Sequence, residues 1–223
     1  MKEFIHETIE LGYSDLDAET TSSGRLYRTP GGSFPSVTTV LSILTEDVIQ
    51  AWRKRVGDEE ANRVSGRASQ RGTLVHSIIE DYLNGKDTSE YLPHIRQSLA
   101  NVEPILDSRI GRIFGIEVPL YSEYLGLAGR CDCIAEFDGV TSIVDWKTSK
   151  YPKQKEKITN YFCQMAAYAI MFEERTGKAI TNLVVVMDVD GHEPLVFKEH
   201  RDNWTTMLHD TINEYKRRQF WPT

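Results

Sequence analysis

Cysteine is scarce in this chain. There are three, Cys131, Cys133 and Cys163, an odd number with no Cys-x-x-Cys spacing. That excludes an even disulfide framework and argues against a zinc or iron–sulfur centre. Long apolar runs are missing too, and nothing approaches the roughly 20 residues of a membrane-spanning helix. Internal repeats and low-complexity tracts are absent. Basic residues are in the minority, 26 against 33 acidic, for a net charge of −7. Such a balance excludes coating nucleic acid by bulk charge, although a local basic track stays open. The opening stretch MKEFIHETIELGYSDLDAE lacks both the basic-then-apolar order of a secretory signal and the arginines of a transit peptide. The expectation is a cytoplasmic protein with reduced thiols and no membrane contact.

What is present is ordinary globular composition, 40% hydrophobic and 26% charged over 223 residues, enough for one compact domain or a domain with a subdomain. The N-terminal third reads as a small hairpin around Leu26–Gly32, a helix capped by Ser36, and a second helix from Thr45 to Gly57. Val48, Ile49, Trp52 and Val56 supply the apolar stripe of that second helix. A longer helix spans about Asp58 to Leu83, with Val75, Ile78, Ile79, Tyr82 and Leu83 as its core stripe. Another runs from His94 to Ile113, with a break near Pro104. A strand over 114–120 follows, with Ile116 and Val118 on one face and Glu117 on the other. Beyond residue 150 the pattern predicts a helix to Arg175, strands over 180–189 and 194–197, and a closing helix from Asn203. Helices alternating with strands in this way make an α/β or α+β domain.

Between the 114–120 strand and residue 150 lies LAGRCDCIAEFDGVTSIVDWKTSK, Leu127 to Lys150, which reads as one β-hairpin. Asp138-Gly139 separates its two strand-forming runs, and Asp-Gly suits a type I′ turn because both central residues need positive φ. With Phe137 opposite Val140, residue i faces residue 277 − i, so Asp132 opposes Asp145 and Arg130 opposes Lys147. Those four share one face. Cys133, Ala135, Phe137, Val140, Val144 and Trp146 fall on the other, as a core face. Directly opposed carboxylates have Cβ atoms about 4.5–5.5 Å apart and repel each other. A divalent cation would relieve that, since hard cations take carboxylate oxygens. A solvated Arg-Lys-Asp ion cluster would account for the same pattern.

Other features flank this hairpin. His76 and Glu80 are four apart on the long helix and share a face. Gln164 and Tyr168 stand in the same relation on the helix after the hairpin. Lys and Arg gather at Arg53-Lys54-Arg55, at Arg63, Arg67 and Arg71, and at Lys147, Lys150, Lys153, Lys155 and Lys157, either as solvated helix faces or as a track for a phosphate backbone. Asp132 and Asp145 could hold one or two Mg²⁺ ions that activate water and neutralise a pentacovalent phosphate. Lys147 could then meet a phosphate oxygen or the nucleophile. Thr148, Ser149, Arg67 and Arg71 could grip the backbone, and Tyr168, Trp52 or Tyr151 could stack bases of a single strand.

A helix with a polar His76, a strand with Glu117, Gly129-x-x-Asp132, Asp145-x-Lys147 and Gln164-x-x-x-Tyr168, in that order, resemble the PD-(D/E)XK nuclease superfamily, in its RecB-like exonuclease branch. Pro35-Ser36-Val37-Thr38-Thr39-Val40-Leu41 and Arg71-Gly72-Thr73-x-x-His76 are similar to the mitochondrial genome maintenance and phage exonucleases of that branch. The resemblance implies a restriction-endonuclease-like core, a central mixed β-sheet flanked by helices, with an N-terminal helical extension. It implies a single nuclease domain over 1–223, in which 1–66 is mainly helical and walls the DNA groove and 67–223 is the core. Asp132, Asp145, the Trp146 carbonyl and His76 then become metal ligands for Mg²⁺ or Mn²⁺. Lys147 becomes the catalytic lysine, Gln164 and Tyr168 position the substrate, and Glu117 is carried over by its place on the preceding strand. Ser36, Thr38, Arg67, Arg71, Arg130, Thr148 and Ser149 become DNA contacts. Relatives that carry an iron–sulfur cluster need four cysteines, which this chain lacks. The implied activity is a metal-dependent deoxyribonuclease acting as an exonuclease on single-stranded ends, in repair or recombination. A duplex-end or structure-specific endonuclease of the same fold and a non-catalytic DNA-binding module are the alternatives.

Overall fold

Residues 2–220 are described by a computed structural model. The first regular elements are antiparallel strands β1 (Asp17–Thr21), β2 (Gly24–Thr29) and β3 (Gly32–Pro35), which form a small sheet of their own. Residues 1–66, expected to be mainly helical, thus also contain sheet. Helix α1 (Val37–Leu41) begins where expected, with Ser36 Oγ accepting the Thr39 N–H. Helix α2 (Glu46–Val56) turns through Gly57 (φ +85°) into α3 (Asp58–Leu83). The apolar spacing on α2 is real, but it lines no core: α2 buries no side chain, and Val48 and Ile49 are exposed. In the first half of α3 Ala61 is buried but residues 62–70 are all exposed, and burial resumes at Val75.

Helix α4 (Pro93–Arg109) runs through Pro104 without the expected break. Val102 and Leu106, one turn apart on its inner face, are fully buried, and that packing outweighs the single N–H the proline removes. Strand β4 (Ile110–Ser122) starts four residues earlier than expected. The hairpin strands are β5 (Leu127–Phe137) and β6 (Val140–Ser149). Helix α5 (Thr159–Thr176) ends on Gly177 in the left-handed region, which a residue without Cβ adopts at no cost. Strands β7 (Asn182–Val189) and β8 (Leu195–His200) and helix α6 (Thr205–Phe220) complete the described chain.

Strands β4 to β8 lie side by side in chain order. Every neighbouring pair is antiparallel except β6 and β7, which are parallel and joined through α5. The sheet is therefore mixed, with apolar clusters on both faces. One cluster packs Ile134, Ile143, Leu183 and Val185 with α1, α5 and α6. The other packs Cys133, Phe137, Val144 and Trp146 with α3 and α4. Among the described residues, no helix is long and apolar enough to cross a membrane.

Candidate active site and metal centre

Asp138 (φ +51°) and Gly139 (φ +78°) turn the hairpin as the Asp-Gly pair demands. The ladder starts at Phe137↔Val140 in the expected register and runs to Cys133↔Val144. There it stops, one residue short of the two carboxylates. Asp132 and Asp145 are thus not a hydrogen-bonded cross-strand pair: β6 leaves β5 and continues beside β7 as far as Ser149↔Val189. The Trp146 N–H, left without a strand partner, donates to Asp132 Oδ2 at 3.0 Å. A residue in an extended strand sends its N–H and C=O to the same edge, so the Trp146 carbonyl also looks toward this opening. Its indole is buried in the α3/α4 cluster, as expected of the core face. Val140, assigned to the same face, is instead exposed at the turn.

A second irregularity lies on the other side of Asp132. Ile116 and Val118 are two apart, yet Ile116 packs with the α3/α4 cluster and Val118 belongs to the α5 cluster. Their β5 partners Cys133 and Cys131 divide in the same way. Side-chain alternation slips on both strands at one level, where Glu117 takes φ +52°. Gly115 shows how far the chain departs from a strand. A Cβ there would lie 2.5 Å from Val118 Cγ2, whereas residues three apart in a regular strand are separated by about 10 Å. The register of β4 on β5 shifts just before this point, between Ile110 and Gly115, and the kink at Glu117 re-aims its side chain. Ile116 and Val118 therefore do not share the face that simple alternation assigned them.

Glu117, Asp132 and His76 meet here, with ligating atoms all within 4.8 Å of one another. His76 Nδ1 is 3.4 Å from Asp132 Oδ2. Asp145 is 1% exposed, and neither of its oxygens accepts a hydrogen bond. Lys147 Nζ lies 2.5 Å from Asp145 Oδ2, as an ion partner off the hydrogen-bonding direction. Burial raises the Asp145 pKa, Lys147 opposes that, and Asp132 adds to it. Burial and the Asp132 charge push Glu117 up to about 7. Burial works against the charge of Lys147, but Asp145 and Asp132 more than offset it and hold its pKa above the usual lysine value. Tyr161 presents its ring 5.0 Å below the ammonium. A carboxylate buried without a donor is costly unless something positive reaches it. Asp145 Oδ1 has no partner and Oδ2 has only the Lys147 ammonium; with the carboxylate and imidazole donors beside them, they fit a hard divalent cation.

His76, Glu117, Asp132, Lys147 and Tyr161 line a cavity of about 690 Å³, and Asp145 lies outside its lining. Ser36 and Thr38 enter it from the start of α1, and Gly72, Thr73, His76 and Glu80 from α3. Glu117, Gly129, Arg130, Asp132 and Lys147 come from the sheet, and Asn160, Tyr161, Gln164 and Tyr168 from α5. A single bridge between Ser36 and Ala128 ties the α1 entry to β5. Gly129 makes room for Tyr168, because a Cβ at that position would sit 2.9 Å from the tyrosine hydroxyl. Tyr168 is 3% exposed, so it walls the site and cannot stack a base. Burial holds its pKa well above the usual value.

Four of the expected DNA contacts lie elsewhere. Arg71 points away from the cavity into ion pairs with Asp188 (2.5 Å) and Asp190 (2.6 Å). Arg67 sits on the exposed half of α3. Ser149 Oγ donates to the Tyr151 carbonyl at 2.6 Å, and Thr148 lies beside Gly72 outside the cavity lining. Arg130 lines the cavity, but its guanidinium is committed to the Glu117 carbonyl (2.9 Å) and to Asp15. Glu80, Asn160 and Tyr161 were not assigned from the sequence. Their signal was helical spacing: Glu80 is one turn from His76, and Asn160 and Tyr161 are one turn before Gln164.

A mixed sheet that parts at its central hairpin, gathering acidic ligands and a lysine at the opening, defines a nuclease core of the restriction-endonuclease type. The chain belongs to the PD-(D/E)XK nuclease superfamily, whose profile matches residues 93–223. That range holds the hairpin and α5 but not His76, which α3 delivers. The chain is 28% identical to mitochondrial genome maintenance exonuclease 1 of Homo sapiens over 130 residues, 53% of this chain and 38% of that protein. With the Xenopus tropicalis protein of the same name it is 28% identical over 174 residues, 72% of this chain and 50% of that one. It therefore spans half or less of the length of these curated relatives. A solved structure from Eubacterium rectale overlays 66% of this chain and 66% of its own, at 14% identity and a TM-score of 0.44, a likeness too slight to add to the fold.

Proposed function

We propose that this chain is a divalent-metal-dependent DNA exonuclease that hydrolyses phosphodiester bonds, preferring single-stranded ends. The observation that carries the reading is Asp145: a carboxylate buried to 1% exposure, whose Oδ1 has no partner and whose Oδ2 has only the half-buried Lys147 ammonium two residues on, and which faces the Asp132 charge. Mg²⁺ or Mn²⁺ is the proposed ion, held by Asp132, Asp145, His76 and the Trp146 carbonyl. When bound, such an ion supplies an activated water and neutralises phosphate charge. Lys147, kept protonated by its two carboxylates and braced on Tyr161, donates to a phosphate oxygen or orients the attacking water. Gln164, on the α5 face beside Tyr168, holds the strand in line. Exonuclease action on DNA is supported by the names of the mitochondrial relatives. Single-strand preference is supported by walls that approach the site from α1, α3 and α5.

The test is digestion of end-labelled linear single-stranded, linear duplex and circular single-stranded DNA, with Mg²⁺ or with chelator. The expected result is rapid release of label from the linear single strand in Mg²⁺, slower attack on duplex, intact circles and no products with chelator. Rapid cutting of circles would overturn the exonuclease assignment, and equal activity in chelator the metal dependence.

A further inference from the structure

The kink in β4 at Glu117 spends backbone strain to place one side chain. A glutamate at φ +52° is uncommon, because the left-handed region crowds Cβ. Here the conformation is held from two sides. Gly115 leaves the space that the Val118 methyl fills, and Arg130 grips the Glu117 carbonyl at 2.9 Å while its other end is anchored on Asp15. The outcome is a carboxylate beside Asp132 and His76 at the mouth of the opened hairpin. It gains little from the protein there. Among the described residues its oxygens accept no hydrogen bond, and Arg130 Nε stands 3.9 Å from Oε2. Its neighbour Asp132 repels it. Strain and like-charge repulsion converge on a group whose protein partners do not offset them.

A cation would. Two ligands of one hard cation, each at 2.0–2.6 Å, lie no more than about 5 Å apart. The His76, Glu117 and Asp132 atoms fall within 4.8 Å of one another. Asp145 Oδ1, buried without a partner, independently calls for positive charge on the other side of Asp132. We infer that Glu117 is a further carboxylate ligand of the divalent cation, so that the centre draws on β4 as well as on α3 and the hairpin. Arg130 is then the positioning residue that holds the Glu117 backbone, rather than a contact for the DNA backbone. This inference rests on the metal-dependent reading above.

The experiment is a Mn²⁺ titration followed by electron paramagnetic resonance of the free ion, paired with melting temperatures without cation, on wild type, Glu117→Gln, Glu117→Gly and Asp145→Asn. The inference expects Mn²⁺ affinity to fall about tenfold or more in both Glu117 variants. It expects both to melt, without cation, at or above the wild-type temperature, since each removes a repelling charge and glycine also accepts the positive φ. Affinity within twofold of wild type in Glu117→Gln, or a melting temperature below wild type without cation in both variants, would overturn it. Asp145→Asn separates the two readings. If it weakens Mn²⁺ binding while Glu117→Gln does not, only the role of Glu117 falls; if neither does, the metal reading falls with it.

Discussion

Asp132 Oδ2 accepts the Trp146 N–H at 3.0 Å, spanning the two hairpin strands at the level where their ladder has ended. One carboxylate thus has a structural duty and a proposed ligating one, and the two can be separated. Asparagine at 132 still offers an oxygen to the Trp146 N–H, whereas alanine leaves a buried donor unsatisfied, at about 1–3 kcal/mol. Asp132→Asn is expected to keep wild-type stability within about 1 kcal/mol while losing nuclease activity. Asp132→Ala is expected to lose both. Urea denaturation beside a nuclease assay checks this, and equal stability in the two variants would remove the structural role.

Gly129 faces Tyr168 with no room for a methyl group, and the ring cannot swing out because it is 3% exposed. Overpacking of this sort costs about 1–3 kcal/mol. Gly129→Ala is therefore expected to lower the melting temperature and to reduce activity through displaced Tyr168 and Gln164. Restoring space with Gly129→Ala/Tyr168→Phe, which removes the hydroxyl, one of the two tyrosine atoms 2.9 Å from the new methyl, should recover part of the stability. No recovery would place the cost elsewhere.

Arg71 is bound to Asp188 and Asp190, and Asn101 Nδ2 also donates to Asp188, at 2.8 Å. A DNA-binding arginine would raise KM when removed and leave the fold alone. The ion pairs point the other way. Arg71→Ala should cost about 2 kcal/mol of stability, less than the 3–5 typical of a fully buried pair because Asn101 remains. Adding Asp188→Asn should return part of that loss. A raised KM with unchanged melting would restore the substrate role.

Glu117 has a folded pKa of about 7 against an ordinary 4.5, and Asp145 is shifted in the same direction. A carboxyl with a raised folded pKa binds protons more tightly in the native state. It therefore subtracts stability as pH rises from the unfolded value, and the loss is complete above the folded one. In chelator, these two groups should make the protein less stable at pH 8 than at pH 5.5. Divalent cation stabilises by mass action and competes with those protons. The rise in melting temperature on adding Mg²⁺ should thus be larger at pH 8. A cation shift independent of pH would count against both groups as ligands.

The hairpin, its turn and its register from Phe137↔Val140 to Cys133↔Val144 were legible from residues 127–150 alone, because an Asp-Gly turn and a period of two leave few alternatives, although Val140 is exposed and the pairing stops short of Asp132 and Asp145. So were the capped start of α1, the span of α3 and the face of α5 bearing Gln164 and Tyr168, all products of local spacing and capping. The PD-(D/E)XK resemblance was legible in the order of motifs. Three features were settled only by tertiary structure. The ladder ends before the carboxylates because β5 parts from β6 there while β6 stays paired with β7 on its other edge from Ser142 to Ser149, an arrangement of distant segments that no local pattern encodes. Glu117 reaches the site through a backbone kink held by Gly115, Val118 and Arg130, which breaks the alternation that local reading assumes. Arg71 turns from the cavity because Asp188 lies nearby, although it is 117 positions away in the chain. Local periodicity decides which face a residue takes. Which residues meet at that face depends on where chain segments far apart in sequence are packed.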